Sequence, residues 1–279
     1  MALIPPHYLK AVASINLESK DSNGAPFKMA IATGFLLGVL NGEKNAKGED
    51  LFSLFFVTNR HVYEDKKTGS MISKIYLRFN TTGGSGHYFE VNLLENGKPI
   101  WFKHKNDKVD IAVIRLNADA IKKANIDYYF FNGKDIFLAK EFDSNAISIG
   151  DGLYVLGFPM SISGKVKNFV IARQGIIARV DFEVLSECFY YIDASAYPGN
   201  SGGPVIHKPE VVAITGTKSN SNAGLIGVIS SGETYSDVAV SQTTQEPRIV
   251  FKEQTGLVRV VPIEYVIEAI NDFMISKKS

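Results

Sequence analysis

One cysteine, Cys188, stands in 279 residues. A single thiol excludes an internal disulfide and fits a reducing compartment better than a disulfide-stapled secreted scaffold. Charge of one sign is equally scarce. Thirty basic side chains face 29 acidic ones, for a net charge of +1, so no electrostatic footprint for nucleic acid or an anionic membrane exists. The longest apolar stretch, Met29 to Leu40, is about half a bilayer span and is interrupted by glycine. The opening MALIPPHYLK has no basic n-region and only a scrap of apolar sequence before Pro5-Pro6, so no secretory leader is read. The expectation is a cytoplasmic protein with no membrane and no nucleic-acid partner. His7, His87, His104 and His207 lack metal-ligand spacing and are expected to be solvated; no metal and no cofactor is expected. Cys188, in SECFYY, reads as a small buried apolar residue. Solenoid-type repeats and low-complexity tails are also missing.

What the chain has in abundance is short β-branched or aromatic runs separated by Gly, Asn, Asp and Ser. Examples are Ile75–Phe79, Tyr88–Leu93, Val109–Leu116, Leu153–Leu156, Phe169–Val180, Phe189–Asp193, Val211–Thr215 and Leu225–Ser230. Regular short strands with turn signals predict an all-β sandwich or barrel. Two long loops are expected, Gly42 to Asp50 and Lys218 to Ala223, and the mixed-sign segments Glu43–Lys47 and Glu64–Lys67 read as solvated loops. Near the end, Ile263, Val266, Ile267, Ile270, Phe273 and Met274 recur at helical spacing, with Pro262 at the first helical position. This element is expected to pack on the second half of the protein.

Three blocks carry chemistry. Gly199-Asn200-Ser201-Gly202-Gly203-Pro204 places a serine between glycines, which allow a sharp turn with several amide N–H groups aimed into one space. A serine hydroxyl becomes a useful nucleophile only beside a base and opposite donors for an oxyanion. LFSLFFV, a run of strand length, ends in Thr58-Asn59-Arg60-His61-Val62 and sets His61 just past a strand end. Asp110 opens the β-branched stretch DIAVIRL. His, Asp and Ser therefore follow one another with gaps of 49 and 91 residues, and they supply the nucleophile, base and orienting anion of a Ser-His-Asp relay. An α/β-hydrolase would place its serine first.

TNRHV, DIAVIRL and GNSGGP resemble the catalytic blocks of the chymotrypsin-like (trypsin-like) serine peptidases, with the closer match to the bacterial HtrA/DegP-type branch. ATGFL at residue 32, GDGLYVLGFP at 150, RQGII at 173 and LIGVISSG at 225 resemble further family stretches, with Leu153 and Ala178 departing from the usual Val and Ser. The resemblance covers about residues 8 to 272. It implies two six-stranded-type antiparallel β-barrels over about 8–125 and 140–261, followed by a helix over 262–276. It implies a serine endopeptidase acting on protein or peptide substrates, with His61, Asp110 and Ser201 catalytic and the N–H groups of Gly199 and Ser201 forming the oxyanion hole. It also implies that Ser230 lies near Asp110, that Ser230, Ser231 and Gly232 pair with the substrate backbone, and that Ser195 forms the base of the S1 pocket. An uncharged Ser195 favours a small or apolar P1 side chain; a register shift that brought Asp193 into the wall would reverse that preference, and Tyr197 could narrow the pocket. Asn200 replaces the Asp that pairs with a freshly cut amino terminus in the digestive branch, so activation by trimming is not expected. The chain ends at Ser279 with no room for the PDZ domain usual in HtrA-type proteins. A closed, non-catalytic binding module on the same fold is the alternative reading.

Overall fold

The computed structural model describes residues 4–65 and 67–277. After a 3-10 turn at Pro6–Ala11, the first half contributes β1 (Val12–Lys20), β2 (Pro26–Lys44), β3 (Asp50–Thr58), the single-turn helix α1 (Arg60–Tyr63), β4 (Lys74–Asn80) and β5 (Gly86–Asn92). It continues with the short β6 (Leu94–Glu95), β7 (Lys98–Pro99) and β8 (Phe102–Lys103), then β9 (Ala112–Leu116) and α2 (Ala118–Lys123). The second half contains β10 (Gly152–Gly157), β11 (Ile171–Arg179), α3 (Phe182–Ser186), β12 (Tyr190–Asp193), β13 (Pro204–His207), β14 (Gly224–Val240), β15 (Pro247–Pro262) and α4 (Ile263–Ser276). The first half forms a seven-stranded sheet in the order β5-β4-β1-β2-β3-β9-β8; the second closes into a six-stranded barrel, β10-β11-β12-β15-β14-β13. The protein is all-β, with the double-barrel architecture of chymotrypsin-like proteins and a terminal helix.

The apolar runs are continuous rather than alternating because their strands bury both faces. On β3, Leu54 and Phe56 point into the core enclosed by the first sheet, while Phe55 and Val57 point into a seam between the two halves. Cross-strand pairing keeps these sets in register: Leu36 faces Phe56, and Phe35 faces Val57. On β10, Leu153 and Val155 enter the barrel core, while Leu156 joins the seam. Burying each of these large side chains contributes roughly 2 kcal/mol. Helix α4 closes the seam with Ile263, Val266 and Ile270. Its Phe273 stacks on Phe102 of the first sheet at 4.2 Å, so the helix spans both halves instead of covering only the second. Pro262 is its N-cap residue, one position before the expected place.

Other sequence expectations also need correction. Val211–Thr215 is not a strand; Val211, Val212 and Ile214 are 70–80% exposed in irregular chain, because no neighbouring strand is available to pair with them. The expected Gly42–Asp50 loop shrinks to residues 45–49, since β2 and β3 pair out to Lys44 and Asp50. Glu64 is half-buried and ion-paired with Arg60 at 2.7 Å, so that position is not a solvated loop. His104 and His207 are buried, at 3% and 0% exposure. Cys188 is buried as expected.

His207 carries a pH dependence. Desolvation lowers its pKa below the ordinary value, against the Asn222 carbonyl at 3.3 Å and the Asp151 carboxylate at 3.9 Å. The unfolded chain therefore takes up a proton at His207 before the folded chain does. The associated stability is present above the unfolded pKa of about 6.5 and is lost as pH falls through it. The loss deepens as pH falls from about 6.5 toward the lowered folded-state value, with a slope bounded by one proton, about 1.4 kcal/mol per pH unit. His207→Gln should flatten that slope in denaturant unfolding curves; coincident slopes would remove His207 from the balance.

Candidate active site

Three elements bring the sequence blocks together. Strand β3 ends at Thr58, and the chain turns at once into α1, which presents His61. The turn is braced by Asn59, whose Nδ2 donates to the Asp110 carbonyl at 2.8 Å, and by Arg60, which pairs with Glu64 and with Asp107 at 2.8 Å. Asp110, three residues beyond Asp107 and just ahead of β9, has a side chain only 12% exposed. Its Oδ2 lies 2.6 Å from His61 Nδ1 and accepts from Ser230 Oγ at 3.0 Å, and its Oδ1 accepts the His61 backbone N–H at 3.1 Å. An ionised carboxylate can only accept, so the short bond assigns the proton to Nδ1 and leaves the Nε2 lone pair free to act as a base.

Ser201 sits in the loop that enters β13. Among the described residues, no hydrogen bond joins its Oγ to His61. The loop backbone is held tightly: Asn200, Gly202 and Gly203 donate their N–H groups to Tyr197, Ile229 and Asn200 carbonyls at 2.9–3.0 Å. The N–H groups of Gly199 and Ser201, by contrast, donate no hydrogen bond among the described residues. The Pro198 carbonyl accepts the Met160 N–H at 2.7 Å, so across the planar peptide the Gly199 N–H faces the opposite way. Gly199 has φ +101, and a side chain there would collide with the Phe158 carbonyl. Asn200 is 1% exposed, and neither side-chain polar atom has a hydrogen-bond partner among the described residues.

Thr33 on β2 is a contributor that sequence reasoning placed only in a strand. Its N–H donates to the Ser201 carbonyl at 2.9 Å, its Oγ1 donates to the Gly199 carbonyl at 2.6 Å, and the same oxygen accepts the Phe158 N–H at 3.1 Å. A fully buried threonine of the first sheet thus fixes the serine loop of the second half. Its hydroxyl within the apolar run from Met29 to Leu40 was the available signal.

The predicted substrate-contact residues divide. Ser230 touches Asp110, and Ser231 and Gly232 follow it, exposed, on β14. A hollow of about 410 Å³ lies between His61, Asp110, Ser230, Ser231, Phe189 and Arg259. Ser195, Asp193 and Tyr197 are exposed, and Tyr197 stacks under the Arg173 guanidinium at 5.1 Å.

Comparison with known proteins agrees with this architecture. A family model described as "Trypsin-like peptidase domain" matches residues 32–214, well over half the chain, and the chain belongs to that family. Among solved structures it is similar to the MamO protease domain from Magnetospirillum magneticum in its apo form, at 13% identity and a TM-score of 0.46, over 94% of this chain and 96% of that one. It is also similar to the Rv3671c protease in an inactive form, at 14% identity and a TM-score of 0.45, over 95% of this chain and 89% of that one. No helix among the described residues is long and apolar enough to cross a membrane.

Proposed function

We propose that this chain is a serine endopeptidase in which Ser201, His61 and Asp110 act as nucleophile, base and orienting anion. The observation that carries the reading is the His61 Nδ1 to Asp110 Oδ2 contact of 2.6 Å, which prepares Nε2 to accept a proton. His61 takes the proton of Ser201 as the hydroxyl attacks a peptide carbonyl. The oxyanion that forms is held by the N–H groups of Gly199 and Ser201, the two donors of the loop without internal partners. His61 then protonates the leaving amine, and water, deprotonated by the same imidazole, releases the acyl group and restores Ser201. Ser230 supports Asp110, and Ser230, Ser231 and Gly232 pair with the substrate backbone. Ser195 lies at the base of the P1 pocket and favours small or apolar side chains, Asp193 being the residue that would reverse this. The lone thiol supports a reducing, cytoplasmic setting, and narrow processing of a partner protein fits a peptidase of this kind.

A second reading, a closed binding module, draws on the missing Ser201 Oγ to His61 hydrogen bond. Catalytic hydrogen bonds often tighten only once substrate is bound, so this does not outweigh the imidazole–carboxylate pair. A fluorophosphonate probe separates the two readings. Labelling is expected in the native chain and is expected to vanish in Ser201→Ala. A native chain that resists the probe, with or without added peptide, would favour the closed module.

A further inference from the structure

Strand β14 does not stop at the candidate active site. It runs past Asp110, where Ser230 donates to the carboxylate, and continues to Val240. Up to Val228 it lies between β13 and β15. The Ile229 N–H still donates to Gly203 and its carbonyl still accepts from Gly202, both at 2.9 Å. Beyond that point β13 is gone. From Ser230 to Val240 the strand keeps β15 on one edge, and among the described residues no strand pairs with the other. Strand β12 pairs with β15 as far as Leu257 and the Ala194 N–H still reaches the Gly256 carbonyl at 3.0 Å, so residues 247–255 and 233–240 form a two-stranded ribbon projecting from the barrel.

Such a ribbon is marginal in water without a further partner. This one exposes apolar side chains on both faces. Tyr235, Ile249 and Phe251 are 52–60% exposed on one side, and Val238 and Val250 are 44–55% exposed on the other. Its open strand, SSGETYSDVAV, contains no proline and no lysine, the usual blockers of edge pairing.

We infer that the open edge of β14 from Ser230 to Val240 is a long docking strand for the substrate segment that precedes the scissile bond; the inference rests on the serine-peptidase reading and extends its site. Polarity fixes which side of the cut docks. The vacant slot lies in line with β13, upstream of the point where the serine loop turns into it. A peptide filling that slot antiparallel to β14 runs in the direction of β13, so its carboxyl end arrives at Ser201 and its earlier residues lie along the ribbon. Pairing residue for residue sets Val238 opposite a position about nine residues before the cut. The occupant is therefore an extended, unfolded stretch with apolar residues at alternate positions, bound by strand addition.

The test uses a sequence cleaved in a digest of a denatured protein. Two fluorescent peptides carry four or twelve residues before the cut, the longer one with valine or tyrosine at alternate added positions. Affinity is measured by anisotropy in Ser201→Ala, which needs no turnover, and kcat/KM is measured in the native chain. At least tenfold tighter binding of the longer peptide is expected, with a matching gain in kcat/KM. Joining Thr234 to Gln254, which are paired in register, through an Asn-Gly turn removes the ribbon; the advantage should vanish while short-peptide kcat/KM stays within twofold. Should that variant fail to fold, Tyr235→Ser/Val238→Ser/Phe251→Ser is expected to lose at least threefold of the advantage. Equal binding of the two peptides, an advantage that survives ribbon removal, or a ribbon-dependent dimer in sedimentation with no preference for length would overturn the inference. Failure of the peptidase reading appears separately, as absent fluorophosphonate labelling. Anisotropy with the twelve-residue alternating segment alone then still reports on the edge, and no binding of it overturns the inference.

Discussion

Asp110→Asn is expected to lower kcat/KM about ten-thousandfold without unfolding the protein. The carboxylate accepts from His61 Nδ1, the His61 backbone N–H and Ser230 Oγ. An amide can keep one or two of these through its oxygen. Its NH₂ end, however, cannot accept from Nδ1 and instead donates to it. The imidazole then carries its proton on Nε2, the atom needed to deprotonate Ser201. Shape and volume hardly change, so the melting temperature should stay within a few degrees, and the loss should fall on kcat. Steady-state kinetics on a fluorogenic peptide, read beside a melting curve, check this. A loss below tenfold would mean that Asp110 does not orient a base.

Gly202→Ala is expected to damage both stability and activity. Gly202 has φ +80, a region costly for a side chain, and an added methyl would run into Thr58 Oγ1 and the Thr33 carbonyl. Its N–H also holds Ile229 at 2.9 Å, so the loop cannot simply swing away. Overpacking and left-handed strain together cost on the order of 4 kcal/mol, a fall in melting temperature of roughly 10 °C for a chain of this size. Gly42→Ala is the control. Gly42 also has a positive φ, +83, but nothing lies within 4 Å of the added atom, and the expected cost is only about 1 kcal/mol. Equal melting temperatures for the two variants would show that the serine loop is not clamped.

Sequence reading reached the elements whose signals are local. Strands β4, β10 and β12 were legible from their apolar runs, and α4 from its periodicity. The expectation that His61 and Asp110 work together came from the order of the three blocks and from the resemblance of TNRHV and DIAVIRL to catalytic blocks. What escaped it depends on distant partners. Val211–Thr215 has strand composition but no strand beside it. The outer ribbon mixes polar and apolar residues because its two strands have only each other, so no buried face imposes a pattern. His104 is covered by α4, whose Glu268 lies 3.2 Å from its ring, and His207 meets Phe137, Asp151 and the Asn222 carbonyl, all of them well separated from it in sequence. Thr33 looks like any strand threonine until the serine loop, some 166 residues later, arrives beside it.

The seam fastened by Thr33 has a practical consequence. An interruption anywhere from residue 124 to 151 would leave the imidazole and carboxylate on one fragment and the alcohol on the other, and each fragment would lack the surface that shapes its share of the machinery. Two inert pieces, regaining competence only when brought back together, are the natural parts of a reassembly reporter.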